Sequence, residues 1–280
     1  MTKSMLNNRI TEQDSPYSDL EKKSVAEILS EINAEDTKVP LAVAKAIPGI
    51  ELLVTKIVER MLTGGRIFYI GAGTSGRLGV LDASEIPPTY GVSAGMVNGI
   101  IAGGDTALRN AVENAEDDMN AAWEELKSKH LNKYDTIIGI AASGTTPYVI
   151  GGLRAARNQG LLTGAIVCNP GSPVAAEAEI AIELIVGPEY VTGSTRMKSG
   201  TAQKLVLNMI STATMIQLGR VKGNKMVNLK PTNSKLRNRA IRIICESTGV
   251  GENLALQLLE LHGSAQKAIE VLAQQTNSQS

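Results

Sequence analysis

Five short apolar runs, at 66–70, 96–101, 134–140, 161–167 and 180–186, each set off by helix-length sequence, leave this chain few folds to choose from. Each run is rich in Ile, Val and Leu, too short for a helix, and bounded by small turn residues. Parallel strands need crossovers of a dozen or more residues, and the helices in those crossovers cover the sheet. Strands buried on both faces read as largely apolar runs. The pattern predicts an α/β fold: a doubly wound parallel sheet flanked by helices.

The segments around the runs divide the chain further. Residues 1–18 form a polar arm, free to be disordered or to wrap a partner. Residues 19–230 hold the α/β domain. Leu20, Val25, Ile28, Leu29 and Ile32 recur at helical spacing there, and a second helix spans about 39–62 until Gly64 and Gly65 stop it. A helix from near Ser75 is expected to end at Pro87 and Pro88. Another is expected to run unbroken from Asp105 or Thr106 to about Lys129, on a stripe of Leu108, Val112, Ala115, Met119, Trp123 and Leu126. A further helix follows at about 200–218. Residues 231–280 read as a small bundle of short helices, punctuated at Gly249, Gly251 and Gly263.

Charge and composition remove several functions. With 28 basic and 28 acidic residues, the chain lacks the basic excess of a nucleic-acid binder. One Phe and one Trp make poor stacking platforms for single strands. Two cysteines, Cys168 and Cys245, build no disulfide framework or metal-type spacing and suit a reducing compartment. The N-terminus has no apolar signal core and no apolar run is long enough to span a bilayer. The expected location is the cytoplasm.

Ligands of an open parallel sheet bind beyond the carboxyl ends of its strands. Three such places carry small, hydroxyl-rich turns: Gly71-Ala72-Gly73-Thr74-Ser75-Gly76, Ser143-Gly144-Thr145-Thr146 and Gly193-Ser194-Thr195. Glycine admits close approach, hydroxyls donate, and a following helix N-terminus favours phosphate oxygens. The first turn also matches G-x-G-x-x-G, but the next strand offers its acid, Asp105, roughly 30 residues on, where a ribose needs one about 20 on. A second hydroxyl turn has no task in a dinucleotide site. The pattern favours a phosphate on a small molecule, with no redox cofactor and no metal.

Acid–base groups are then sought among carboxylates. His130 and His262 stand alone, and Cys168 ends an apolar run as a buried thiol would. Glu85, before the proline pair, is expected at a helix C-terminus, where the dipole disfavours a carboxylate's charge and suits a general acid. It reads equally well as an ordinary exposed residue. Glu113 and Glu116 flank the expected stripe and by pattern alone read as a solvated face.

The run from Gly187 through Glu189, Thr192, Gly193, Ser194, Thr195, Arg196, Lys198, Gly200 and Gln203 to Lys204 resembles the signature shared by N-acetylmuramic acid 6-phosphate etherases and glucokinase regulatory proteins. Both belong to the sugar isomerase (SIS) fold family. The segments Gly71 to Gly79 and Leu81 to Pro88 are similar to the bacterial etherases in particular, in a single SIS unit. The resemblance implies a carbon–oxygen lyase of amino-sugar recycling. Such an enzyme eliminates D-lactate from C3 of the phosphosugar after loss of the C2 proton, then adds water to leave N-acetylglucosamine 6-phosphate. It implies Glu85 and Glu116 as the catalytic pair. Gly73, Thr74, Ser75, Gly76, Ser143, Gly144, Thr145 and Thr146 would hold the phosphosugar. Ser194, Thr195 and Lys198 would line the same cleft. It also implies a homodimer and a C-terminal bundle resembling a ubiquitin-associated domain. Two other readings stay open: an aldose–ketose isomerase using the same C2 proton, and a non-catalytic sugar-phosphate sensor.

Overall fold

The computed structural model describes residues 9–112, 114–228, 231 and 234–277. The chain divides into two units, one of Met1–Ser84 with Gly95–Thr212, the other of Glu85–Ala94 with Ala213–Ser280.

In the first unit, helices α1 (Val25–Asp36) and α2 (Lys38–Leu62) precede strand β1 (Ile67–Gly71). Then come α3 (Gly73–Tyr90), β2 (Val97–Ile101), the short α4 (Thr106–Arg109) and α5 (Ala121–Lys127), and β3 (Thr136–Ala141). The alternation continues through α6 (Pro147–Asn158), β4 (Leu162–Val167), α7 (Pro173–Glu177), β5 (Ile180–Glu183) and α8 (Lys198–Gln217). Helices α3 and α8 each run on into the second unit. All four strand pairings are parallel, in the order β2-β1-β3-β4-β5. The expected doubly wound sheet is therefore present.

Burial on both faces explains the composition of the strands. Every residue of β1, β3 and β4 is buried. Helix α6 presses Val149 and Leu153 onto β3 at Gly139, and α2 presses Leu53 onto β4 at Gly164. Gly164 pairs with Ile138, so the two helices cover opposite faces. Val39, Val43, Ile50, Leu53 and Ile57 of α2 are all buried; each such side chain contributes about 1.5–3 kcal/mol.

Two helices depart from expectation. The unbroken helix over 105–129 is instead α4 and α5, with Ala111, Val112 and Asn114–Asn120 irregular; Glu113 lies outside the described residues. Local polar chemistry outcompetes the apolar stripe. The Asp118 carboxylate accepts the N–H groups of Asn120 and Ala121, and Asn114 takes a positive φ of 61°. The segment then docks on α6. Tyr148 N–H donates to Glu116 O at 2.9 Å, and a Cβ on Gly151 would fall 1.7 Å from Met119 O. Helix α3 also runs through Pro87 and Pro88 to Tyr90. Proline's fixed φ suits a helix, so the pair removes two hydrogen bonds near the end without turning the chain, and Gly91 N–H closes the last turn on Pro87 O.

The second unit contains α9 (Ser234–Thr248), α10 (Glu252–His262) and α11 (Ala265–Asn277). They share a core of Ala240, Ile243, Ile244, Ala255, Leu259, Ala265, Ala268 and Ile269. Among the described residues no helix is long and apolar enough to cross a membrane.

Candidate active site

The strand order reverses at β1, so the crevice between the carboxyl ends of β1 and β3 is the switch point of the sheet. Gly71 and Ile140 are register partners, which sets the turns after β1 and β3 side by side. In the first turn Gly73 begins α3, Thr74 is partly buried, and Ser75 and Gly76 are buried. Ser75 Oγ donates to Gln203 Oε1 of α8 at 2.9 Å.

In the second turn Gly144 has φ 70°, and a Cβ there would lie 2.2 Å from Ser172 Oγ. Only glycine fits. Thr145 Oγ1 donates to Ser143 Oγ at 3.1 Å, and Thr146 precedes Pro147, the first residue of α6. The partly exposed hydroxyls of Ser143, Thr145 and Thr146 thus gather at the start of a 12-residue helix.

The third turn closes on the first. A Cβ on Gly200 would lie 3.4 Å from Thr74 Cγ2 and 3.6 Å from Thr195 O. Ser194 and Thr195 are partly exposed. Lys198 is directed elsewhere. It is 2% exposed, and its ammonium donates to Glu35 Oε2 at 2.6 Å, so it anchors α8 and not a ligand. The Glu189 carboxylate completes that anchor by accepting the N–H groups of Lys198 and Ser199, both at 2.9 Å.

Glu116 is exposed and lines a cavity of about 230 Å³ with Ala72, Gly73, Arg77, Ala111 and Ala115. That puts a carboxylate beside the first turn. Glu85 is also exposed, five residues before the end of α3 and not at its terminus, and it falls in the second unit. The dipole argument for Glu85 weakens accordingly, because the effect fades within the last turn. A larger hollow of about 610 Å³ lies against Lys235, Arg239, Arg242 and Glu252 in the second unit, but it has no hydroxyl-bearing turn.

Sequence patterns passed over three groups here. Asp82 of α3 is 3% exposed and bonded by Lys204 Nζ at 3.2 Å and Tyr69 OH at 3.3 Å. Burial pushes its carboxyl up, against the pull of Lys204. Gln203 is fully buried beneath Ser75. Thr11 and Asn169, joined to each other, reach the second turn from the arm and from the end of β4. Asn169 had one readable signal, a polar residue just past an apolar strand.

Comparison with known proteins decides the family. Residues 50–157 match the glucokinase regulatory protein N-terminal SIS domain, and residues 118–213 match the SIS domain. An N-acetylmuramic acid 6-phosphate etherase of Bacteroides fragilis is 66% identical, covering 94% of this chain and 93% of its own. One of Bacteroides thetaiotaomicron is 64% identical over 97% and 98%. The chain belongs to the N-acetylmuramic acid 6-phosphate etherase family. It shares its fold with a phosphoheptose isomerase of Francisella tularensis, which superposes with a TM-score of 0.56 at 14% identity, over 69% of this chain and all of that one.

Proposed function

We propose that this chain cleaves the D-lactyl ether of N-acetylmuramic acid 6-phosphate, giving N-acetylglucosamine 6-phosphate and D-lactate. The observation that carries the reading is 66% identity to an etherase over 94% of the chain. The hydroxyl-lined crevice between β1 and β3 supports it. Thr74, Ser75, Ser143, Thr145 and Thr146, with the N-termini of α3 and α6, hold the phosphate. Ser194 and Thr195 face the sugar, while Lys198 keeps their turn in place through Glu35.

Opening of the sugar ring exposes the C1 aldehyde and makes the C2 proton acidic. Glu116 takes that proton from the cavity beside Gly73. The C3–O bond breaks and Glu85 protonates the departing lactate oxygen; Glu85 then takes a proton from the water that attacks C3, while Glu116 returns its proton to C2. Each positioned proton-transfer group contributes roughly 10²–10⁴-fold. The phosphate, remote from C2 and C3, supplies binding energy for orientation.

The protein works in the cytoplasm as a homodimer. Two free thiols suit a reducing compartment. Val25 and Leu29 on α1 and Leu41 and Leu52 on α2 are 72%, 61%, 67% and 52% exposed, an apolar surface that a second copy would cover. The purified chain, incubated with N-acetylmuramic acid 6-phosphate, should release D-lactate in step with N-acetylglucosamine 6-phosphate. Substrate consumed without lactate would favour an isomerase, and binding without turnover a sensor.

A further inference from the structure

Arg9 of the N-terminal arm touches the Ser143–Thr146 turn of its own chain. Arg9 Nη1 donates to Thr145 Oγ1 at 3.1 Å, and that hydroxyl donates on to Ser143 Oγ. Two residues later Thr11 is fully buried. Its N–H donates to Asn169 Oδ1 at 3.2 Å, and Asn169 Nδ2 donates back to Thr11 Oγ1 at 2.8 Å. The same Nδ2 reaches the carbonyls of Ala142 and Ser143, at 3.3 and 3.1 Å. One amide thus ties the arm to the backbone of the second turn. Farther on, Ser15 Oγ donates to Tyr190 O at 2.8 Å and Ser15 N–H to Thr192 Oγ1 at 2.9 Å, so the arm is fastened again just before the third turn. The arm, expected to be disordered or to wrap a partner, is instead held on its own chain at Arg9, Thr11 and Ser15.

A phosphate monoester carries about −1.5 to −2 charges near pH 7. The turn itself offers only neutral donors. Lys198 donates to Glu35, and Arg77 Nε donates to Leu108 O. The Arg9 guanidinium touches a turn hydroxyl, and its planar fork matches phosphate oxygens. We propose that Arg9 is a further ligand of the substrate phosphate, with Thr11 and Asn169 as positioning residues that hold it there. The proposal rests on the reading that the Ser143–Thr146 turn binds that phosphate.

The test compares Arg9→Met, Thr11→Val, Thr11→Ser and Ser143→Ala in the full chain, using D-lactate release and competitive inhibition by inorganic phosphate. Loss of one charge-assisted contact should raise KM and the phosphate inhibition constant roughly 10–100-fold in Arg9→Met. Turnover at saturation should fall no more than about threefold, since the anchor is remote from C2 and C3. Thr11→Val should show the same split by freeing the arm, and Thr11→Ser, which keeps the hydroxyl, should restore KM. If Arg9→Met leaves KM within about twofold while Ser143→Ala raises it tenfold, the assignment of Arg9 is overturned and the phosphate turn stands. If neither variant moves KM, the phosphate turn itself is misread and the proposal falls with it. Should Arg9→Met lose its cooperative melt, Arg9→Gln is judged by the same criteria.

Discussion

Replacing Glu35 by glutamine should weaken the first unit in a way that depends on pH. The Glu35 carboxylate is 2% exposed and receives Lys198 Nζ and Lys38 Nζ at 2.6 Å and Tyr17 OH at 3.0 Å. Burial alone would raise its pKa, but these donors hold it down from 4.5 to about 2. That difference is worth about 3 kcal/mol in favour of the folded, charged form. A carboxyl whose folded pKa is depressed stabilises above its unfolded pKa and ceases to as the pH falls through its folded one. The contribution is therefore whole above about pH 5 and fades between pH 4.5 and about 2. Glu35→Gln removes it and leaves Lys198, itself 2% exposed, against a neutral amide. The expected cost at pH 7 is about 2–4 kcal/mol, because one partner of a buried pair is left uncompensated. Trp123, the one tryptophan, lies on α5 in the same unit, so its fluorescence reports unfolding there during a urea titration. With a slope of about 1–3 kcal/mol per molar urea, the midpoint should drop by roughly 1–2 M at pH 7. The gap between wild type and variant should narrow steadily towards pH 3. A drop below about 0.3 M at pH 7, or a gap that stays constant with acidification, would refute the argument.

Three other outcomes follow from the site and its frame. Glu85→Gln and Glu116→Gln should each cut turnover by roughly 10²–10⁴-fold while leaving inhibition by inorganic phosphate unchanged, as read by D-lactate release; full activity in either removes that glutamate from the mechanism. Gly151→Ala places a methyl 1.7 Å from Met119 O and should displace the segment that bears Glu116, lowering turnover well before it abolishes folding by circular dichroism. Cys168 is fully buried, and burial pushes its thiol up to about 12, whereas Cys245 is partly exposed; iodoacetamide at pH 8 should label the native chain at Cys245 only, and label at Cys168 would show that β4 opens.

What the sequence discloses depends on how local the deciding forces are. The strands read correctly because burial of β1, β3 and β4 on both faces demands mostly apolar runs, a condition met within a few residues of each. The turns after β1 and β3 lead into helices as their residues suggest, because helix starts and glycine conformations are also local. The segment 105–129 misleads because its stripe is helical, while Asn114, Asp118 and the docking of Met119 on Gly151 decide against a helix. Pro87 and Pro88 mislead in the opposite sense, since a helix near its end can forgo two donors. The arm reads as free because nothing near Thr11 in sequence reveals Asn169, 158 residues away. Lys198 looks like a ligand by its place in the motif, and only the fold brings Glu35 to it, 163 residues upstream.

That long separation also constrains how the protein comes into being. A ribosome delivers Arg9 and Thr11 first, and the socket that receives them, built from Ala142, Ser143 and Asn169, only after more than half the chain has been made. During synthesis the leading segment must wait without a partner, and it docks once β4 has joined the sheet. Docking of Arg9 and Thr11 is then among the closing events of maturation, so the pocket is finished only after the sheet that carries it.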